Sequence, residues 1–349
     1  MALLLGRERG LGMKLNLFYE EPDGDRWVPF DRVPRRVIRR IVRGRPRPGG
    51  QARVFLNLRA GLDRLGVPYR VNDYGYAKRH CQELACIVGK PFVLDKVPWR
   101  NPILFGAAVY SHPMNDPLLM ERLPVRKVLV PGAWMMDMCR PIWGDAVEAW
   151  PVGIDTDSWK PTAGADKTFD VLLYDKVRWE HDRFESSLIE PVRAFLRREG
   201  RSHCELRYGS YREEEFQAAL GKCRAMVFLC EHETQGIAYQ QALSCGVPIL
   251  AWDRGGFWQD PEYFPDRVQF TPVTSVPYWD ERCGRKFAEF SAFEGEWSEF
   301  WRSVKSGVYD PRSYILENLT LERCAQDYLA IASRLASSPG SQLEDRYER

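Results

Sequence analysis

Two rhythms of apolar and polar positions run along this chain. Short apolar runs of strand length recur at 15–18, 67–71, 84–88, 103–108, 125–130 and 147–150, and again at 169–174, 204–208, 225–230 and 247–252. Between them lie helix-length stretches whose apolar residues recur three or four positions apart. Val54, Phe55, Leu58, Leu62 and Leu65 form the clearest such stripe, and 184–198, 212–221 and 320–335 follow the same period. Runs that are apolar at nearly every position predict strands buried on both faces. Their alternation with helices predicts an α/β fold with parallel sheets covered by helices on either side. No repeat of solenoid period is present, although the two halves share one strand–helix rhythm.

The densest order lies in residues 225–253. An apolar run passes into an acidic turn (Glu231, His232, Glu233), then a short helical pattern closed by Cys245-Gly246, then a second apolar run. Gly246 suits a helix C-cap and Pro248 cannot continue a helix, so the stretch predicts strand, loop, helix, strand. In such a unit the loop after the first strand faces the ligand crevice, and the following helix presents its N-terminal N–H groups there. Thr234, Gln235 and Gly236 occupy that helix start.

Other features are candidates of different weight. Gly49-Gly50 opens the 54–65 stripe, where glycines let backbone N–H groups approach a phosphate or sugar, although a plain turn is the commoner explanation. His112 lies just past an apolar run, either to position a sugar hydroxyl or as a loop histidine satisfied by backbone. Lys176 and Arg178 follow the 169–174 run, where a diphosphate would be held; ordinary surface charge is the alternative. Asp155-x-Asp157 follows Gly153 and reads as a turn rather than a cation site, because no further carboxylates gather there. Residues 32–47 carry eight arginines with apolar positions 34, 38, 41 and 42 on one helical face. This basic amphipathic segment would either dock on an anionic membrane surface or phosphorylated acceptor, or pack on its own domain.

Composition narrows the class. At 349 residues, 44% hydrophobic and 28% charged, the chain has the makeup of a globular protein of two domains. A net charge of +2 gives no global reason to expect nucleic acid. Nine scattered cysteines without a paired spacing read as free thiols of a reducing, cytoplasmic compartment. Five histidines without spacing partners offer no metal site. No run approaches the roughly 18 apolar residues of a spanning helix. The expected organisation is a disordered leader (1–12), an N-terminal Rossmann-like domain (13–162) and a C-terminal one (168–318). A C-terminal helix (319–336) crossing back to the first domain and a mobile tail (337–349) complete it.

With these residues in view, the chain resembles the retaining GT-B glycosyltransferases over about 13–335, on four marks in order. They are the Gly49-Gly50 loop, the passage Val152-Gly153-Ile154-Asp155 before the linker, the basic pair Lys176 and Arg178, and Glu233 followed eight positions on by Gln241 and then Ala242-Leu243-Ser244-Cys245-Gly246. The resemblance implies two Rossmann-like domains facing a cleft and transfer of a sugar from a UDP- or GDP-type donor, with retention and without a cofactor or metal ion. It implies Glu233 near the donor sugar and backbone N–H groups of Thr234, Gln235 and Gly236 on sugar and phosphate. Lys176 and Arg178 would meet the diphosphate from one side and Gly49-Gly50 from the other domain; His112 would lie toward the acceptor, a glycan, a lipid-linked sugar or a small molecule. Gln241 departs from the pattern, since the family keeps there a glutamate for both ribose hydroxyls. The basic pair departs too, since Arg183 competes with Arg178 by spacing. A nucleotide-sugar epimerase of the same fold, or a non-catalytic sugar-nucleotide binder, are the alternatives.

Overall fold

The strand–helix rhythm becomes two separate parallel sheets in the computed structural model, which describes residues 14–21, 49–107, 109–162, 164 and 166–337. The basic segment 32–47, the leader 1–12 and the tail from 338 lie outside the described residues. The first sheet has six strands: β1 (Leu15–Phe18), β2 (Tyr69–Val71), β3 (Ala85–Ile87), β4 (Ile103–Gly106), β5 (Val125–Val130) and β6 (Val147–Ala149). Their spatial order is β2-β1-β3-β4-β5-β6, every pair parallel. The second sheet orders β7 (Phe169–Asp175), β8 (His203–Arg207), β9 (Cys223–Leu229), β10 (Ile249–Trp252) and β11 (Gly284–Phe287) as β11-β10-β9-β7-β8, again all parallel. Parallel neighbours require a crossover from one end of the sheet to the other, which the helices supply.

Helix α1 (Gly50–Arg64) buries the stripe Val54, Phe55, Leu58 and Leu62 that the sequence presents. Helix α2 (Ala133–Trp143) follows β5. In the second half, α3 (Glu190–Arg198), α4 (Glu213–Lys222), α5 (Ile237–Ser244) and α6 (Phe290–Ser306) precede the final helix α7 (Leu321–Ser337). Contacts divide the chain into two units. One takes the described residues up to Val130, Cys139–Trp150 and those from Ala325; the other takes Pro131–Met138 and Pro151–Cys324. Residues 151–162 group with the second unit for a plain reason. Ile154 bridges to Thr320, and Trp159 is buried with Phe216 and Tyr239. In the first unit Trp150 packs edge-on to Tyr328 of α7, ring centroids 5.1 Å apart.

Both faces of the second sheet's inner strands, β10, β9 and β7, are buried, as their apolar runs require. Leu172, Tyr174, Met226 and Phe228 pack on one face with Phe216 and Tyr239; Val171, Leu173, Ala225 and Val227 pack on the other with Ile189, Phe195 and Phe293. Successive residues of a strand point to opposite faces, so each run feeds two cores at once. Two elements go beyond the sequence-based expectations. Strand β11 (Gly-Arg-Lys-Phe) is polar in the middle because it is an edge, and its Gly284 has φ +137° with no room for a Cβ, which would stand 2.0 Å from the Ile249 carbonyl oxygen. Helix α6 buries Phe293, Trp297, Phe300 and Trp301, a helical spacing masked in sequence by intervening Ser, Glu and Gly. All nine cysteines are free thiols, with only Cys81 and Cys204 partly exposed. Among the described residues no helix is long and apolar enough to cross a membrane.

Candidate functional site

Strands β7 and β9 lie side by side, so the loops leaving their carboxyl ends meet. The loop after β7 is tied down by its own residues: Asp175 accepts a hydrogen bond from the Val177 N–H (3.0 Å) and another from Arg207 (2.9 Å). Lys176 continues the sheet by donating its N–H to the Leu229 carbonyl at 2.7 Å. That fixes its side chain over the loop after β9. There the ammonium forms an ion pair with Glu233, both groups buried, and its other flank lies 4.4 Å from the Tyr208 ring.

Burial by itself would depress the Lys176 ammonium, but the adjacent Glu233 carboxylate outweighs it and holds the pKa above the usual lysine range. Burial would likewise raise Glu233, yet Lys176 and then Arg178 keep it below the usual carboxylate range. The pair is therefore charged on both sides at neutral pH. One Glu233 oxygen pairs with Lys176, and the other accepts no hydrogen bond among the described residues.

The other two residues of the acidic turn, given no role by the sequence, hold this arrangement. Glu231, fully buried, accepts the N–H groups of Arg178 (2.7 Å) and Trp179 (2.8 Å) on one oxygen, so it ties the β9 loop to the β7 loop. His232 lies against the Trp179 ring (5.1 Å, 25°) and edge-on to Trp134 (5.8 Å, 70°), and its Nε2 lies 3.1 Å from both the N–H and the carbonyl oxygen of Gln259. Burial, then Arg178, pushes the imidazole down to about 4, so it is neutral at physiological pH. The backbone of Glu233 is clamped at both ends: its N–H donates to the Thr274 carbonyl (2.9 Å) and its carbonyl accepts from the Trp134 indole (2.8 Å). Only the acidic turn itself hinted at this in sequence; Trp134 lies 99 positions away.

Gly236 is the N-cap of α5 at φ +71°, and a Cβ there would lie 2.0 Å from the Tyr239 ring, so glycine is required. The N–H groups of Thr234, Gln235 and Gly236 find no acceptor among the described residues. They form a row of free donors beside the Lys176–Glu233 pair, at the positive end of the helix. Gln235 spends its side chain elsewhere, pairing with both the N–H and the carbonyl of Val152 (3.2 and 3.3 Å). Gln241, on α5 and 9% exposed, makes no side-chain hydrogen bond among the described residues.

The remaining candidates are placed as follows. Arg178 donates Nη2 to the His232 carbonyl (2.8 Å) and lies 4.1 Å from the Trp179 ring centroid, so part of its fork is engaged in holding the loop. Arg183 pairs with Glu180 at 3.2 Å on the exposed side. In the first unit, Gly49 caps α1 and Gly50 begins it; among the described residues a Cβ at either would meet nothing within 4 Å. His112 is buried and caps a short 3-10 turn, its Nδ1 accepting from the Met114 N–H at 3.1 Å. Asp155 accepts from the N–H groups of Asp157 and Ser158 (3.3 and 3.4 Å), the expected turn. No group of His, Cys, Asp or Glu among the described residues could hold a metal ion.

No protein-family model and no curated protein matches this chain. Solved structures do match in shape. Sucrose-phosphate synthase from Thermosynechococcus elongatus aligns over 92% of this chain and 98% of its own, with TM-score 0.57 and 12% identity. AviGT4, a glycosyltransferase involved in avilamycin A biosynthesis, aligns over 93% and 98%, with TM-score 0.52 and 13% identity. The N-terminal domain of trehalose-6-phosphate phosphatase from Candida albicans aligns over 92% and 96%, with TM-score 0.50 and 10% identity. Identities this low speak to fold and not to chemistry. Two parallel-sheet α/β units of six and five strands, aligned nearly end to end with such structures, give this chain the GT-B fold.

Proposed function

We propose that this protein is a glycosyltransferase that moves a sugar from a nucleoside-diphosphate donor to an acceptor hydroxyl, with retention and without a metal ion. The observation that carries the reading is the buried Lys176–Glu233 pair set beside the free N–H groups of Thr234, Gln235 and Gly236. Cleavage of the anomeric bond leaves negative charge on a diphosphate. An ammonium with donors to spare and a row of oriented N–H groups meet that charge without reorganising. Glu233, charged and with one oxygen unengaged, is suited to accept hydrogen bonds from the donor sugar. Gln241 takes the ribose with its amide. Gly49-Gly50 serves the phosphate, His112 the acceptor side, and the 32–47 segment a membrane surface; these three assignments rest on the sequence.

The test is transfer from a UDP- or GDP-sugar. Losing one such charge-stabilising contact costs on the order of a hundredfold in rate. Lys176→Ala and Glu233→Ala are each expected to show that loss, with circular dichroism confirming the fold because each leaves a buried charge unpaired. Rates within twofold of wild type for both would sink the assignment. A non-catalytic sugar-nucleotide binder is the second reading, favoured by the uncharged Gln241. Calorimetric donor binding with no product from any acceptor would select it, and donor conversion without an acceptor would instead select an epimerase.

A further inference from the structure

Around the tripeptide 231–233 three cations meet two carboxylates. Lys176 is committed to Glu233, and Arg178 donates to the His232 carbonyl and approaches Glu231 at 4.0 Å. The third is Arg254, two residues past the end of β10 and so at the same carboxyl edge of the sheet. Its charge is felt at His232, and it feels Glu231 in turn. Yet among the described residues Arg254 makes no ion pair and no side-chain hydrogen bond, and its Nε is buried without a partner.

The side chain is nonetheless held in place. Its guanidinium lies 5.4 Å from the Phe184 ring and 5.3 Å from the Trp252 ring, two rings that themselves pack edge to face. Behind it the chain turns back at Gly255 (φ +63°), and a Cβ on Gly256 would stand 3.2 Å from Arg254 Nε. The Arg-Gly-Gly loop thus leaves room for the arginine to fold over its own backbone. Buried polar atoms without a hydrogen-bond partner among the described residues also lie on Glu231, His232, Gln259 and Ser275. Such atoms call for a ligand or water. Arg201 also has an orphaned Nε over a ring, but it precedes β8 and lies at the opposite end of the sheet.

We propose that Arg254 is an oxyanion-binding residue of this site, its planar fork taking a phosphate group of the donor diphosphate. It takes from the donor reading only that the ligand carries a diphosphate. A half-buried fork pinned on two aromatic rings has little freedom left to lose, and charge-assisted hydrogen bonds to phosphate are among the stronger ones.

The experiment is calorimetric titration of the full chain with inorganic pyrophosphate at low salt, alongside a nucleotide-sugar panel. Arg254→Gln is expected to weaken pyrophosphate binding by about tenfold to a hundredfold. Arg254→Lys, a point charge without the fork, is expected to recover only part of it. Should Arg254→Gln fail to fold, Gly256→Ala, whose Cβ would stand 3.2 Å from Arg254 Nε, shifts the same side chain by a few tenths of an ångström while keeping its charge and is expected to weaken pyrophosphate as well. Affinity within twofold of wild type in a folded Arg254→Gln protein, or no pyrophosphate binding by the wild type at millimolar concentration, overturns the proposal. Arg254-dependent pyrophosphate binding without any nucleotide-sugar binding leaves Arg254 standing and removes the donor reading. Nucleotide-sugar binding indifferent to Arg254 does the reverse.

Discussion

His232 makes folding of the second unit sensitive to mild acid, and the size of the effect follows from its surroundings. The imidazole is buried between Trp134 and Trp179 and pushed down to about 4, against 6.5 for the free side chain. The unfolded chain therefore binds the proton more readily than the folded one. The stability contributed is complete above the unfolded value and is lost as pH falls from about 6.5 toward about 4. A gap of about 2.5 units at 1.36 kcal/mol each is about 3 kcal/mol. Lys176, held high, does not titrate in that window, and Glu233, held low, does so only at its acid end. Glu231, raised by burial, works in the opposite direction, gaining stability as it protonates. The comparison that isolates His232 is urea unfolding of wild type and His232→Phe, followed by tryptophan fluorescence between pH 4.5 and 7.5. Phenylalanine keeps the ring between the tryptophans and removes the proton. It also removes the hydrogen bond to the Gln259 backbone, a loss of about 1–3 kcal/mol. The wild type is expected to lose most of about 3 kcal/mol more than the variant across this range. Parallel pH profiles, or an imidazole resonance of His232 titrating at 6 or above, would refute the reasoning.

Two further outcomes follow from the same loops. Lys176→Met and Glu233→Leu should each cost about 3–5 kcal/mol in urea unfolding because each strands a buried charge, whereas the double variant should recover most of it; single losses below about 1 kcal/mol would mean the pair is not desolvated as described. Gln241→Glu should tighten nucleotide binding by about tenfold if the amide faces the ribose, since a carboxylate accepts from hydroxyls more strongly. Calorimetry with UDP and GDP checks this, and weaker or unchanged binding counts against that placement.

Strands buried on both faces announce themselves in sequence, because both of their faces need apolar residues; β7, β9 and β10 were legible for that reason. The edge strand β11 was not, since an edge need bury only part of its surface. Glu233 and Lys176 were visible as residue types beyond strand ends, and Gly236 as part of a helix start. What those residues do to one another was not. That Lys176 reaches Glu233 depends on β7 and β9 being neighbours, a matter of strand order that no local pattern encodes. Arg178 looked like a free cation and is partly engaged with a backbone carbonyl; Arg254 looked like loop charge and has no partner among the described residues.

By itself the sequence determined the α/β class, the strand–loop–helix unit at 225–253 and the glycine that closes α5, Gly246, which turns at φ +74°. These depend on periodicity and backbone freedom, which are local properties. Only the tertiary structure decided which charges are paired, which N–H groups lack acceptors and which histidine is kept neutral. Those outcomes depend on burial and on distances between segments far apart in the chain, and electrostatic energies are set by both.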